Sequence, residues 1–322
     1  MILTVTPNPM LDKTLFLERF PLGEISRTER VLNVAGGKGI NVSRQLKFLG
    51  VDSLATGFLG GKIGEIIAGL LDAEGVSHDF VWVDGTTRIG FTVLETSTGI
   101  QTSVFEPGHK VTGEEVERLK DKVRSRLQAA QGKSRVEWLI CSGTVPCSGM
   151  DDLYADMLRA ARESNVPVIL DTYGPPLRLA IGEKPFLVKP NVKEYLETFP
   201  HGDDPAPEKL SEDAAVEALR HLRDLGAKIA VISAGGSPAY ASDGEHVWRA
   251  APPAVTCVNP TGSGDAFIAG MVYGLSHCWE FEQSLRWGIA AGAANARRWE
   301  VACSSKEEIS QLAADVLIER LC

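Results

Sequence analysis

Apolar runs of strand length that stop abruptly at small or polar residues, with segments of helix length between them, constrain this chain more than any other feature. Residues 2–5 run into Thr6-Pro7-Asn8-Pro9, and residues 136–141 end at Ser142-Gly143-Thr144-Val145-Pro146. Residues 166–170 stop at Asp171, residues 186–188 at Lys189-Pro190-Asn191, and the run from 228 at Ser233-Ala234-Gly235. Helical patterns fill the intervals 113–131, 150–163 and 211–225. Apolar strands joined by helices build a mostly parallel sheet covered on both faces, and their polar ends converge on the rim where such sheets hold ligands.

Two stretches break this rhythm. Residues 14–20 are apolar but alternate, turn at 21–24 and continue as a second extended piece to Val34, without helical period. Residues 86–105 carry strand signals on both sides of Ser97-Thr98-Gly99, which predicts a hairpin. The chain thus divides into a main body of residues 1–12, 34–85 and 107–322, and a β-sheet lid of residues 13–33 and 86–106. A lid over the rim would keep water from a reaction beneath it. The one linker-like piece is 201–207.

Two glycine-rich segments carry the chemistry. Gly36-Gly37-Lys38-Gly39-Ile40-Asn41-Val42 opens a helical pattern (Val42, Leu46, Leu49) that closes at Gly50. It offers close backbone approach, one cation and one amide at a helix start, without the spacing of a Walker A loop. The second segment, Thr261-Gly262-Ser263-Gly264-Asp265, directly precedes an apolar run at 268–275. Gly262 and Gly264 let the backbone approach a phosphate, whose oxygens the unpaired N–H groups of a helix start can bind. A carboxylate there would repel the anion unless it handles a proton or a metal, so Asp265 is a candidate base for phosphoryl transfer. Alone, the segment would more readily be a turn and a helix start, with Asp265 complementing the helix dipole. The other strand ends favour the ligand reading.

A net charge of −9 argues against a general nucleic-acid or anionic-membrane surface, so a few local cations must hold any anionic ligand. Cys141, Cys147, Cys257, Cys278, Cys303 and Cys322 show neither CxxC nor zinc spacing, which predicts reduced thiols and a cytoplasmic location. The first residues lack the basic region of a signal peptide, and no run approaches the roughly 18 apolar residues of a membrane span.

In their order along the chain, these segments resemble the ribokinase-like (PfkB) carbohydrate kinases. Residues 36–42 and 261–265 match the two signatures of that family, and further matches are Thr6-Pro7-Asn8-Pro9 with Asp12, residues 142–146, Lys189-Pro190-Asn191 with Glu194, and Ser233-Ala234-Gly235. The Thr-Pro-Asn-Pro start, Asn259-Pro260 before the second signature, and Glu106-Pro107-Gly108 are similar to the branch whose acceptors are phosphorylated sugars. The resemblance implies a three-layer α/β/α fold with a small β-sheet lid, ATP as co-substrate and Mg²⁺ as cofactor, and it leaves a monovalent cation open. It also implies a homodimer formed through the lid sheet.

Residue roles follow from the same resemblance. Asp265 would take the proton of the attacking hydroxyl, with the amides of Gly262, Ser263 and Gly264 on the transferring phosphoryl group. Asp12, Gly37 and Asn41 would bind sugar hydroxyls, and Thr144 would also face the acceptor. Lys38 and Arg88 would hold the phosphate already on the sugar, with Arg27 reaching in from a neighbouring subunit. Lys189, Ser233, Gly235 and Asn295 would line the nucleotide together with Gly262 and Gly264. Asn191 and Glu194 would position Mg²⁺ largely through waters. Pro238 departs from the nucleotide motif by replacing a glycine, Thr144 stands where serine is usual, and His109 reads as a surface residue. The implied activity is direct in-line phosphorylation of fructose 1-phosphate at its 6-hydroxyl. Alternatives are tagatose 6-phosphate or fructose 6-phosphate at C1, and a non-catalytic phosphosugar sensor.

Overall fold

The computed structural model of the chain describes residues 1–28, 30–129, 135–200 and 210–321. Its N-terminal part contains β1 (Ile2–Thr6), β2 (Met10–Leu17), β3 (Arg30–Gly36), α1 (Lys38–Phe48), β4 (Ser53–Gly60), α2 (Gly61–Glu74), β5 (Val81–Val83), β6 (Arg88–Glu95) and β7 (Gln101–Phe105). The middle adds α3 (Gly113–Leu127), β8 (Trp138–Ser142), α4 (Leu153–Glu163), β9 (Val168–Asp171), α5 (Pro175–Ala180), β10 (Leu187–Val188), α6 (Val192–Thr198) and α7 (Glu212–Asp224). The remainder is β11 (Ile229–Ala234), β12 (Ser237–Ser242), β13 (Val247–Ala251), α8 (Ser263–Ser276), α9 (Phe281–Ala296), α10 (Lys306–Ala313) and β14 (Leu317–Arg320).

The large sheet has the order β14-β13-β12-β11-β10-β9-β8-β1-β4-β5. Every pairing from β11 through β5 is parallel, as the apolar strand runs predict. Alternate residues of each strand face opposite helical layers. Leu3 and Val5 of β1, with Leu139 of β8, pack with Leu119 of α3, Leu158 of α4 and Leu219 of α7. Ile2 and Ile140 from the same strands pack with Val42 and Leu46 of α1, Met271 of α8 and Leu285 of α9. The result is the expected three-layer arrangement. Helix α8 is buried along Asp265–Gly274 because it is apolar on every side, and this carries Asp265 into the interior.

The small sheet has the order β3-β2-β6-β7 and is tied to α2 by Leu11, Ala35, Ile67 and Leu71. Strand β7 is exposed throughout, and Val31, Val104 and Phe105 show apolar surface to solvent. Asp12, expected just past the first strand, lies within β2 of this sheet, opposite Val34 of β3 and Gly90 of β6. No helix among the described residues is long and apolar enough to cross a membrane.

Other differences have local causes. The helix expected over 113–131 ends at Leu127, with Gln128 as its C-cap. Gln131 and the linker-like residues 201–207 lie outside the described residues. The edge strands β12, β13 and β14 are antiparallel, an addition that the α/β alternation does not announce. The β11–β12 ladder shifts register between Ile232 and Ala234, beside Pro238, whose missing N–H such an irregularity accommodates.

Candidate active site

Strands β1 and β8 are neighbours from which the chain moves outward in opposite directions, to β4 and β5 on one side and to β9–β11 on the other. Such a reversal opens a crevice at the C-terminal ends of the strands. Thr6 Oγ1, Asn8 Oδ1, Ser142 Oγ, Asp171 Oδ2 and Thr172 Oγ1 are all buried there without a protein partner. Buried polar atoms are nearly always paired, so their concentration marks a surface made for a polar ligand.

The turn into α8 closes one side of this crevice. Gly262 has φ 78°, and a Cβ there would lie 2.3 Å from Val301 Cγ1, so the turn admits only glycine. Asn295, 1% exposed, holds the turn from within. Its Nδ2 donates to Thr261 O at 2.8 Å and Ser263 Oγ at 3.0 Å, and its Oδ1 accepts from Ala302 N at 2.6 Å. Its amide thus braces the turn beside the second glycine signature. Asp265 is buried and accepts a hydrogen bond from Asn41 Nδ2 at 2.8 Å. Burial, reinforced by the Asp171 carboxylate, pushes its pKa up to about 7 against the pull of Lys38, Asn41 and Lys189. A carboxyl group poised there can exchange a proton near neutral pH.

Asp171, read in the sequence only as a strand end, is the functional candidate that reading missed. Its Oδ1 lies 3.4 Å from both Lys38 Nζ and Lys189 Nζ. Lys38 also pairs with Glu194 Oε1 at 2.7 Å. Burial opposes the charge on Lys38, but Asp171, Glu194 and Asp265 outweigh it and hold the ammonium above the ordinary lysine range. Lys189 is buried against the first turn of α8, its Nζ 3.2 Å from where a Cβ on Gly264 would be. The available signal for Asp171 was positional: a charged residue ending a wholly apolar strand, as Lys189 does after β10.

Asn191 and Glu194 form a capping box on α6. Asn191 Oδ1 accepts from Glu194 N at 2.9 Å, and Glu194 Oε2 accepts from Asn191 N at 2.9 Å. Asn191 therefore orients Glu194, whose Oε1 points to Lys38. Glu194 Oε1 and the unpartnered Asp171 Oδ2 are hard oxygen donors, and they fit a hydrated divalent cation that needs few protein ligands. Among the described residues no group of three or more His, Cys, Asp or Glu forms a closed metal cage. Ser233 bridges to Asn191, and Gly235, with φ 58°, begins the turn into β12.

At the other end of the crevice, Arg88 Nη2 donates to Asn8 O at 3.1 Å and Nη1 to Glu106 O at 3.5 Å, while its Nε is buried without a partner. Asn8 Nδ2 donates to Thr144 Oγ1 at 3.1 Å, joining the exits of β1 and β8. Burial pushes Asp12 up to about 6, against Arg88 and Arg44. A Cβ on Gly36 would fall 2.0 Å from Asp12 Oδ2, so the carboxylate is seated against bare backbone. Gly37 is the N-cap of α1. Lys38 and Arg88, expected around one phosphate, face different partners. Arg27 is exposed in the connection between β2 and β3. His109, expected on the surface, is half-buried with both ring nitrogens inaccessible and unpartnered, and a Cβ on Gly85 would lie 2.9 Å from its ring.

Residues 8–307 match the family described as pfkB family carbohydrate kinase. The chain is 33% identical over 321 residues to a protein of Bacillus subtilis (strain 168) named 1-phosphofructokinase, covering 100% of each. It superposes on the phosphofructokinase-2 from Escherichia coli in complex with potassium with a TM-score of 0.87 and 26% identity, covering 97% of this chain and 98% of that one. A ribokinase of Arabidopsis thaliana complexed with ribose and ATP, 21% identical with a TM-score of 0.75 and coverage of 97% and 98%, shares the fold. With its mostly parallel sheet, its separate small sheet and a match spanning both glycine signatures, the chain belongs to the pfkB family of carbohydrate kinases.

Proposed function

We propose that this kinase transfers the γ-phosphoryl group of ATP to the 6-hydroxyl of fructose 1-phosphate, giving fructose 1,6-bisphosphate and ADP. The observation that carries the reading is Asp265, buried at the start of α8, held by Asn41 and titrating near neutrality. The choice of acceptor is supported by the full-length relative named 1-phosphofructokinase.

In this mechanism the acceptor hydroxyl gives its proton to Asp265 while its oxygen attacks the γ-phosphorus in line. The bond from that phosphorus to the β–γ bridging oxygen breaks, and ADP leaves. The N–H groups at the Gly262–Gly264 turn stabilise the charge that develops on the phosphoryl oxygens. Lys38 and Lys189 exchange Asp171 for phosphate oxygens, Lys38 between the two substrates and Lys189 on the nucleotide side with Ser233 and Gly235. Mg²⁺, held by Glu194 and Asp171 with Asn191 orienting Glu194, would neutralise phosphate charge when bound. Asp12, Gly37, Asn41 and Thr144 hold the sugar, and Arg88 holds its existing phosphate.

Residues 13–33 and 86–106 act as the lid, and its exposed strands form a homodimer in which Arg27 reaches the partner's site. Solution scattering should then return about twice the mass of one chain, whereas a single-chain mass would remove the dimer. We extend to this chain a monovalent-cation effect, since the Escherichia coli neighbour was solved with potassium, and we assign the enzyme to the cytoplasm.

A coupled assay of ADP release tests the reading against fructose 1-phosphate, fructose 6-phosphate, tagatose 6-phosphate, fructose and ribose. Turnover confined to fructose 1-phosphate is expected. Preference for a 6-phosphate would move transfer to C1, and equal use of a neutral sugar would remove Arg88 from phosphate recognition. Binding of a phosphosugar without turnover of any acceptor would replace the kinase with a sensor.

A further inference from the structure

One helical turn beyond Asn41, Arg44 is only 4% exposed, a depth that arginines seldom occupy. Its guanidinium is held on three sides. Nε donates to Glu74 Oε2 at 2.6 Å, Nη2 to Ala35 O at 2.6 Å, and Nη1 to Asn41 Oδ1 at 2.7 Å. The last contact decides which way the Asn41 amide faces. A guanidinium has donors only, so it must meet the amide oxygen, and Nδ2 is then the atom left to meet Asp265 Oδ2 at 2.8 Å. Asn41 is itself buried, 6% exposed, so a rotated amide would set oxygen against carboxylate in a site with little water to screen them.

We propose that Arg44 is a positioning residue for phosphoryl transfer that acts through Asn41, locking the amide so that one N–H holds Asp265 and the other is left for the acceptor oxygen. The acceptor must then present a lone pair to Asn41 while it gives its proton to Asp265. Those two demands on one hydroxyl fix its orientation about the C–O bond. The anchors of Arg44 come from separate elements: Glu74 ends α2, and Ala35 lies in β3 of the small sheet. The guanidinium therefore also ties the strand bearing the small sheet to the aspartate. A plain structural role, bracing α1 against α2, would use the Glu74 contact alone and would leave the Asn41 contact without consequence.

This inference rests on the kinase reading through Asp265, and its test separates the two. Steady-state kinetics would be measured for wild type, Arg44→Met, Arg44→Lys, Asn41→Ala and the Arg44→Met/Asn41→Ala double variant, with the acceptor that the wild type turns over. Arg44→Met should lower kcat about 10- to 100-fold, the effect of misaligning one buried hydrogen bond to the base, with KM for ATP within about twofold. Arg44→Lys, which keeps a donor, should recover part of the loss. In the Asn41→Ala background the second substitution should change kcat by less than about twofold, because coupled residues are not additive. Full additivity would overturn the proposal.

The second readout needs no turnover. The side-chain amide of Asn41, identified in ¹⁵N–¹H spectra by its loss in Asn41→Ala, should be slow to exchange with solvent in the wild type and faster in Arg44→Met. Equal exchange in the two proteins overturns the proposal whichever acceptor is used, and also if none is. A wild type inactive with every acceptor would instead defeat the kinase reading, leaving the spectra to decide on Arg44. If Arg44→Met does not fold, Arg44→Lys carries both measurements, with a smaller loss of kcat and a smaller gain in exchange.

Discussion

Replacing Asp265 with asparagine should stop the reaction and stabilise the protein, and the second effect should depend on pH in a way the structure specifies. The introduced amide would retain an oxygen for Asn41 Nδ2 but could not take a proton, so kcat should fall about 10²- to 10⁴-fold. Burial and Asp171 raise the pKa of Asp265 from an ordinary 3.8 to about 7. The folded state thus holds this proton more tightly than the unfolded chain, and stability drains away as pH rises from about 4 to about 7, then levels. Asp265→Asn lacks that slope. At about 1.4 kcal/mol per tenfold change in proton affinity, its advantage over wild type should grow by up to about 3 kcal/mol between pH 5 and pH 8. For a chain of this length that corresponds to about 4 °C in Tm. Paired thermal unfolding at the two pH values, with matched kinetics, measures both. A stability gap that stays constant from pH 5 to pH 8 would refute the raised pKa, and near-normal turnover would remove Asp265 from the mechanism.

The same pKa governs the pH dependence of the free enzyme: kcat/KM should drop about tenfold from pH 8 to pH 6 as Asp265 takes up its proton, and a kcat/KM profile flat through that range would exclude it as the base. Arg88→Ala should raise KM for fructose 1-phosphate about 30-fold or more, the scale of removing one partner of a charged hydrogen-bonded pair. KM for ATP, measured alongside, should be unchanged. Gly36→Ala forces a methyl to within 2.0 Å of Asp12 Oδ2. It should cost about 1–3 kcal/mol of stability and weaken acceptor binding more than ATP binding, as read by calorimetry with each ligand.

The parallel part of the sheet is legible in the sequence because strands covered on both faces lose their polar residues; the run ending at Ser142 is such a case. The antiparallel edge is not. Strand β12 carries Ser237, Pro238 and Ser242 and β13 carries Arg249, a composition equally suited to a loop. Within the site, Asp265 and Asn41 are legible because the glycines just before each let the backbone turn tightly into a helix start. Asp171 is not, since one aspartate after an apolar run is also what an ordinary loop start looks like. Asn295 shows a further limit. An asparagine near a ligand site can face the ligand or the turn beside it, and only the packed structure shows its amide engaged by Thr261, Ser263 and Ala302. For Lys38 the cation is evident in the sequence, but its partners, Asp171 and Glu194, come from strands and helices far along the chain.

The two sheets carry different parts of the candidate site. Asp12 and Arg88 sit on strands of the small sheet that pair directly, Asp12 opposite Gly90 and Arg88 opposite Met10. Asp171, Lys189, Glu194 and Asp265 hang from the large sheet and the helices packed on it. Under the proposed reading, Asp12 and Arg88 on the acceptor and the donor-side residues therefore belong to different hydrogen-bonded frameworks, joined by α1, whose Asn41 contacts Asp265 and whose Arg44 contacts Ala35 of the small sheet. Substitutions in the inserted strands can then redirect the enzyme among sugars while the donor half is inherited intact, so descent within such a lineage can diversify acceptors without reinventing the transfer.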